Sequence, residues 1–298
     1  MNARPLYVYG AAAHVWPVDN ETPDLKPLLQ QLWGQRFRRV NHYIELALVG
    51  AKSCLLNSTR PVASDCGVYL ATEQGNVAEA AHDMASLLGD HEAVMPLSFL
   101  NAPNNMAGFY LAQALQLNSS NITVAHRAFP FESALDLARF DCALAGNSDS
   151  VLVGGVTPCA LPLTEHRQRL SLGADVPLAE ASSWLHCGSH PDGAMARIED
   201  VCFFASIEAL QNYLAMHAWP ADTQLASGYG VTDDTMDDLA RRLSLSERFQ
   251  YKHEAPYHDT HGAYVLASFI QRRPAQRLLY INATPAQRYV MVSVVTLN

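Results

Sequence analysis

The chain has 298 residues, of which 49% are hydrophobic and 16% charged, and a formal net charge of −9. That is a globular composition, with enough apolar material for a large core in one domain or two packed halves. Its 20 Lys and Arg residues form no dense run, and Arg36-Phe37-Arg38-Arg39 is too short for a nucleic-acid footprint, so nucleic acid and anionic membrane are excluded as primary partners.

In chain order, Leu6-Tyr7-Val8-Tyr9 predicts a short strand ended by Gly10. Residues 24–33 read as a helix, and 41–56 as a longer one, apolar nearly all round and therefore buried between layers. A strand at 68–71 precedes a helix at 76–88 with Asn76 as its N-cap, and then a helix at 105–117 rich in small residues. A strand at 121–125, a helix at 132–145 and a strand at 150–153 closed by Gly154-Gly155 follow. The alternation in this first half predicts an α/β arrangement with a mostly parallel sheet covered by helices. Residues 155–177 read as an irregular connection. Strands at 182–187 and 196–205 flank His190-Pro191-Asp192-Gly193, which carries hairpin turn chemistry. Then come a helix (206–216), a strand (224–228), a helix (233–243), a short strand (249–252), a helix (262–271) and strands at 277–281 and 289–297.

Cys54, Cys66, Cys142, Cys159, Cys187 and Cys202 stand singly, without a CxxC pair, and read as free thiols in a reducing compartment. Neither a signal peptide nor an 18-residue apolar run is present, so the expected location is the cytoplasm.

Four stretches carry a family resemblance. They are Arg38-Arg39-Val40-Asn41 on through Ala47 and Ala51; Gly67-Val68-Tyr69-Leu70-Ala71-Thr72-Glu73-Gln74-Gly75; the run from Pro96 through Asn101, Asn104 and Asn105 to Gly108, with 121–125 and Asp149-Ser150-Val151-Leu152-Val153-Gly154-Gly155; and Pro177-Leu178-Ala179-Glu180-Ala181-Ser182-Ser183-Trp184-Leu185. In this order they resemble the β-ketoacyl synthase family. The resemblance implies a thiolase-like, layered αβαβα fold, shortened here, with an N-terminal half (1–155), a reduced connection or cap (156–181) and a C-terminal half (182–298).

The family's chemistry needs a thiolate at a helix N-terminus, where N–H groups and the helix dipole stabilise the anion. Counting back from Gly154-Gly155 puts that position on Phe129; its neighbours Arg127, Ala128, Pro130 and Phe131 offer no Cys, Ser or Gln either. Cys142 lies near the far end of the same predicted helix, roughly 20 Å away at helical rise. Pro130 suits the helix's first turn, and Glu132 suits its dipole. Where the family holds two histidines that bind a thioester carbonyl, this chain has Tyr229 for the first and, for the second, Lys252 with His258 or His261. The family's glycine-rich loop is replaced by Asn282-Ala283-Thr284-Pro285-Ala286-Gln287, in which Pro285 lacks an N–H for an oxyanion.

No catalytic residue is therefore expected. The resemblance implies a chain-length-factor-like partner of an active β-ketoacyl synthase in type II polyketide or fatty-acid synthesis, most like the partner subunits of aryl polyene systems. It would complete a heterodimer, help bound the acyl chain and meet acyl carrier protein through the complex, without a cofactor. Phe129 and Phe131 are either tunnel walls or core aromatics. Asn101, Asn104 and Asn105 either cap the next helix or shape a subunit contact, and Ile122 and Val124 on the 121–125 strand are dimer-interface candidates. His253, His258 and His261, with Glu254 and Asp259, either ligate zinc or form a polar helix start, and the reading taken is no metal. Asp136 and Arg139 read as a surface pair. Two other readings are a condensing enzyme or acyltransferase using Cys159 or Cys187, and a homodimeric acyl-binding protein.

Overall fold

The computed structural model describes residues 5–19, 21–89, 91–144 and 149–297. Helix α1 is Lys26–Trp33 and α2 is His42–Leu56. Asn41 caps α2 by accepting the Ile44 N–H at 3.2 Å, and residues on all sides of α2 are buried, as its pattern predicts. Strand β1 is Leu6–Val18, β2 Gly67–Thr72, β3 Asn121–Ala125, β4 Ser150–Thr157 and β5 Leu178–Gly188. Helices α3 (Val77–Leu88), α4 (Pro96–Asn101), α5 (Met106–Leu115) and α6 (Pro130–Ala143) lie among them, with α7 at Leu163–Leu170. The remaining elements are β6 (Ala196–Phe204), α8 (Ile207–Ala215), β7 (Thr223–Ser227), α9 (Asp233–Leu243), α10 (His261–Arg272), β8 (Arg277–Ala283) and β9 (Tyr289–Thr296).

The strands join in the order β3-β2-β4-β5-β1-β6-β9-β8-β7. Three apolar clusters separate the layers. Side chains of α1, α2 and α5 pack on one face of the first five strands, through Leu48, Val68, Leu152 and Trp184. Helices α6 and α10 fill the middle, between Val151 and Leu185 on one side and Tyr280 and Val292 on the other. Helices α8 and α9 cover the outer face of the last strands through Leu210, Leu239 and Met291. The result is the expected αβαβα layering, and among the described residues no helix is long and apolar enough to cross a membrane.

Several elements differ from the sequence reading. Strand β1 does not stop at Gly10. It shifts register between Val8 and Gly10 and continues to Val18, paired with β5 throughout. It also takes β6 on its other edge, Leu6 opposite Ile198, so the turn at 190–193 closes no hairpin. The long β1 offers both edges, and β5 and β6 bind them in the same direction. The ladders among first-half strands, β2–β3 and β2–β4, are parallel as predicted, but the whole sheet is mixed: β7–β8 is also parallel, and the other ladders are antiparallel. Residues 249–252 form no strand; only a bridge from Arg248 to Leu225 remains. The 155–177 connection contains α7, and β5 spans the expected 181/182 boundary while pairing with β4 and β1. Pro96 opens the unanticipated α4. Helix α6 ends at Ala143, and Ala145, the expected last residue, lies outside the described residues. Asp136 and Arg139 are no surface pair: Arg139 is 4% exposed and faces Asp200 of β6 at 3.9 Å.

Gly154 and Gly155 do not end β4, which continues to Thr157. A Cβ on Gly154 would overlap the fully buried Trp184 indole, so glycine there allows sheet and ring to touch. Gly154→Ala should therefore cost about 1–3 kcal/mol. Urea unfolding should show a lower midpoint at an unchanged slope; an unshifted midpoint would contradict this packing.

Candidate functional site

Six stretches of the chain meet at one cavity of about 260 Å³. Between β3 and α6 the chain reverses sharply, and Phe129 takes the left-handed conformation, φ +55° and ψ +50°, as the residue that starts α6. For a bulky side chain this is a strained backbone, costing on the order of 1–3 kcal/mol. It aims the Phe129 ring at the cavity, where it is 7% exposed and packs on Phe203 with ring centroids 6.1 Å apart. Pro130 occupies the first turn as expected. Phe131 instead points into the middle layer, wholly buried, and does not line the cavity.

Tyr229 and His261 face Phe129 across the space. His261 Nδ1 lies 3.0 Å from the His258 carbonyl, and its Nε2 receives the Tyr229 backbone N–H at 3.4 Å. This pattern assigns a neutral ring with the proton on Nδ1. Burial agrees, holding the imidazole down to about 4. Nε2 is thus an acceptor already in use and cannot donate to an incoming carbonyl. The Tyr229 hydroxyl donates to the Ala255 carbonyl at 2.7 Å, so Tyr229 presents its ring. Burial pushes this hydroxyl up to about 12.

The other residues expected at the second histidine are elsewhere. His258 is 1% exposed, bonded through Nδ1 to the Pro256 carbonyl at 2.8 Å, and held down to about 3 by burial. Lys252 Nζ donates to Ser227 Oγ at 3.0 Å and the Gly228 carbonyl at 3.2 Å, beneath the Tyr229 ring and beside a separate cleft. His253 is exposed against Glu254, and among the described residues no group of three or more His, Cys, Asp or Glu side chains converges as for a metal.

The loop after β8 has few free donors. The Ala283 N–H is taken by Asn282 Oδ1 at 2.9 Å and the Thr284 N–H by the Arg288 carbonyl at 2.9 Å, while Pro285 has none. On the opposite wall the Ala128 N–H is taken by His126 Nδ1 at 3.0 Å. Three amides around the cavity are thus bonded within the chain, and Pro285 offers none.

Of the cavity's carboxyls, the sequence singled out Asp259 only as a metal or helix-start candidate and did not single out Glu73. Asp259 accepts from the Thr157 hydroxyl and, at 3.3 Å, the Gln74 N–H. Burial pushes it up to about 6 against those bonds. Glu73 is pushed up to about 7 by burial and by the Asp259 charge, with Arg127 opposing. Glu73 and Asp259 are far apart in the chain and share no motif; only the fold makes them neighbours.

The two alternative thiols are not activated. Cys187 is fully buried in β5, and burial raises its pKa well above the usual thiol range. Cys159 is 4% exposed, donates to the Ala179 carbonyl, and is pushed up by burial, then by Glu180 and Asp259. Nearby, burial opposes charge on His42, but its bonds to Glu180, at 2.6 Å, and Glu45 lift it to about 9.

Neither Asn76 nor Asn105 caps its helix through its side chain. Asn76 donates its side chain to the Asn101 carbonyl at 2.7 Å, and Asn105 starts α5 without a side-chain bond. Asn101, 5% exposed, donates to the Arg39 carbonyl and accepts from Tyr110, while Asn104 accepts the Asn76 N–H. They knit the starts of α2 and α3 to α4 and α5.

β3 is the end strand of the sheet, with Ile122 and Val124 half-buried. Helices α5 and α6 flank it and expose Phe109 on one side and Leu137, Phe140 and Leu144 on the other. In α3 and α4, Met84, Leu87, Leu88, Phe99 and Leu100 are all at least half exposed.

Because the folded chain holds the Asp259 proton to about pH 6, against 3.8 ordinarily, the unfolded chain binds fewer protons between these values. The Asp259 contribution to stability falls as pH rises from about 4 through about 6, while the buried His258 and His261, held down to about 3 and about 4, act in the opposite sense. Asp259→Asn removes this contribution and leaves one acceptor oxygen for two donors, so the stability of the wild type relative to the variant should fall as pH rises through this range. Urea melts across this range test it, and parallel pH profiles would contradict it.

No family model and no curated protein matches this chain. Solved structures do. A structure described as the ishigamide ketosynthase/chain length factor matches with TM-score 0.75 at 15% identity, over 99% of this chain and 100% of that one. A β-ketoacyl synthase from Burkholderia phymatum STM815 matches at 0.74 and 11%, with the same coverage. So does a type II PKS acyl-carrier protein in complex with its ketosynthase bound to the hexaketide, at 0.73 and 11%. With its layered sheet and helices, the chain has the thiolase-like fold of the β-ketoacyl synthases and their chain length factors.

Proposed function

We propose that this chain is a non-catalytic, chain-length-factor-like subunit. Its partner is an active β-ketoacyl synthase of a cytoplasmic type II polyketide or fatty-acid system, in the manner of aryl polyene assembly. Acyl carrier protein meets it through the complex. The observation that carries the reading is Phe129: an aromatic ring held in a left-handed helix start, opposite a histidine whose Nε2 is already an engaged acceptor. A nucleophile and a carbonyl donor are both missing where the fold would use them.

The open β3 edge supports the partner. Unpaired strand edges flanked by exposed Phe109, Leu137, Phe140 and Leu144 are normally covered. A second chain with the same layers would extend the sheet and bury both helix faces, which suits an obligate interface. Co-expressed with its synthase, the chain should purify as a stable heterodimer, and alone it should aggregate. A well-behaved monomer that ignores the synthase would remove this reading. The purified complex should show no acyl adduct on this chain by intact-mass analysis; a stoichiometric adduct on Cys159 or Cys187 would favour the condensing-enzyme reading instead.

The two phenylalanines now have different expected effects. Phe129→Ala enlarges the cavity and should lengthen the product if the partner's chain ends there. Phe131→Ala removes a core ring and should cost roughly 3–5 kcal/mol with no change in length. Product profiles and melts of both complexes test this, and equal lengths with intact Phe129→Ala heterodimer would leave Phe129 as ordinary packing.

A further inference from the structure

Strand β6 ends beside the cavity. Past a register shift between Ile198 and Asp200, Val201 and Phe203 share its face toward the middle layer, and Phe203 stands opposite Val290 of β9. Val290 in turn stands opposite Asn282 of β8, which lines the cavity. Residues directly opposite in antiparallel ladders project from the same face. Asn282, Val290 and Phe203 therefore form one cross-strand row that starts in the cavity and ends outside it. Along the row Asn282 is 7% exposed, Val290 is fully buried and Phe203 is 46% exposed.

The Phe129 ring stands at the outer end of this row. It borders the cavity and meets Phe203, with ring centroids 6.1 Å apart and planes tilted by 50°. Aromatic pairs attract at this separation. Phe203 does not line the cavity, so it touches Phe129 from outside that space. The left-handed backbone at Phe129, φ +55°, fixes where the side chain leaves the chain, but the ring still has a choice of staggered positions. With the Phe203 ring removed, the space on the far side of Phe129 is free. A ring that swings into it uncovers the row over Val290 and lengthens the cavity.

We propose that Phe203 is a positioning residue: it backs the Phe129 ring, holds it against the cavity and so sets how far the cavity reaches along the Asn282–Val290–Phe203 row. Resting on the chain-length-factor reading above, this makes Phe203 a determinant of acyl length that acts through Phe129 rather than by contact with the acyl chain.

The test uses the heterodimer with the active synthase, in which this chain carries 4-fluorophenylalanine. The Phe129 19F line is assigned as the one lost in Phe129→Leu. Phe203→Ala should move that line and lengthen the product by one or more extension units, in the same direction as Phe129→Ala. Phe203→Tyr, which keeps the ring, should retain the wild-type line and the wild-type lengths. A Phe203 that served stability alone would lower the melting temperature and leave both readouts unmoved. An unmoved Phe129 line, or an unchanged product length, in the folded Phe203→Ala heterodimer overturns the proposal. Should Phe203→Ala fail to fold, Phe203→Val, better suited to a strand, carries the same two readouts. If the wild type forms no heterodimer, the chain-length-factor reading fails, and the Phe129 line of the chain alone decides in the same way whether Phe203 holds the ring.

Discussion

The backbone at Phe129 is the constraint from which the site's character follows. A strand-to-helix reversal between β3 and α6 leaves one residue in the left-handed region, at the positive end of a helix and facing a cavity. Such strain persists only where the surroundings over-determine it. Here Pro130 fixes the first turn, Phe203 holds the ring, and Tyr229 and His261 close the opposite wall. The geometry that would expose a nucleophile instead exposes carbon. The helix dipole that would stabilise a thiolate acts on the backbone-bonded Glu132 carboxyl.

The same economy governs the polar groups around the cavity. His261 is fixed as an acceptor by one carbonyl and one amide, and the Ala283, Thr284 and Ala128 N–H groups are bonded within the chain. A catalytic pocket leaves donors aimed at empty space for the transition state. Here three such donors are bonded within the wall itself. Two carboxyls of the lining, Glu73 and Asp259, are pushed up by burial.

Much of this was legible in the sequence, and the limits have physical causes. Helix α2 announced its burial by being apolar on all sides, and Phe129 and Tyr229 were located from segment order alone. Gly10 looks like a strand end, but β1 only shifts register between Val8 and Gly10 and runs on, with Gly10 packed against the end of α2. The turn at 190–193 carried hairpin chemistry, but a distant strand took both neighbouring edges. Glu132 looked like an ordinary first-turn acid because nothing local reveals that β8 and α10 close over it. Pairing and burial across the chain decide these points, and local pattern cannot.

The central claim is that condensation in the assembled complex runs on the partner alone. The direct measurement is chain extension by the reconstituted heterodimer in which the partner synthase's nucleophilic cysteine has been replaced by alanine and this chain is left intact. The account predicts that extension is abolished while the heterodimer still forms. Extension persisting near the unmodified rate, with acyl groups found on this chain, would contradict it.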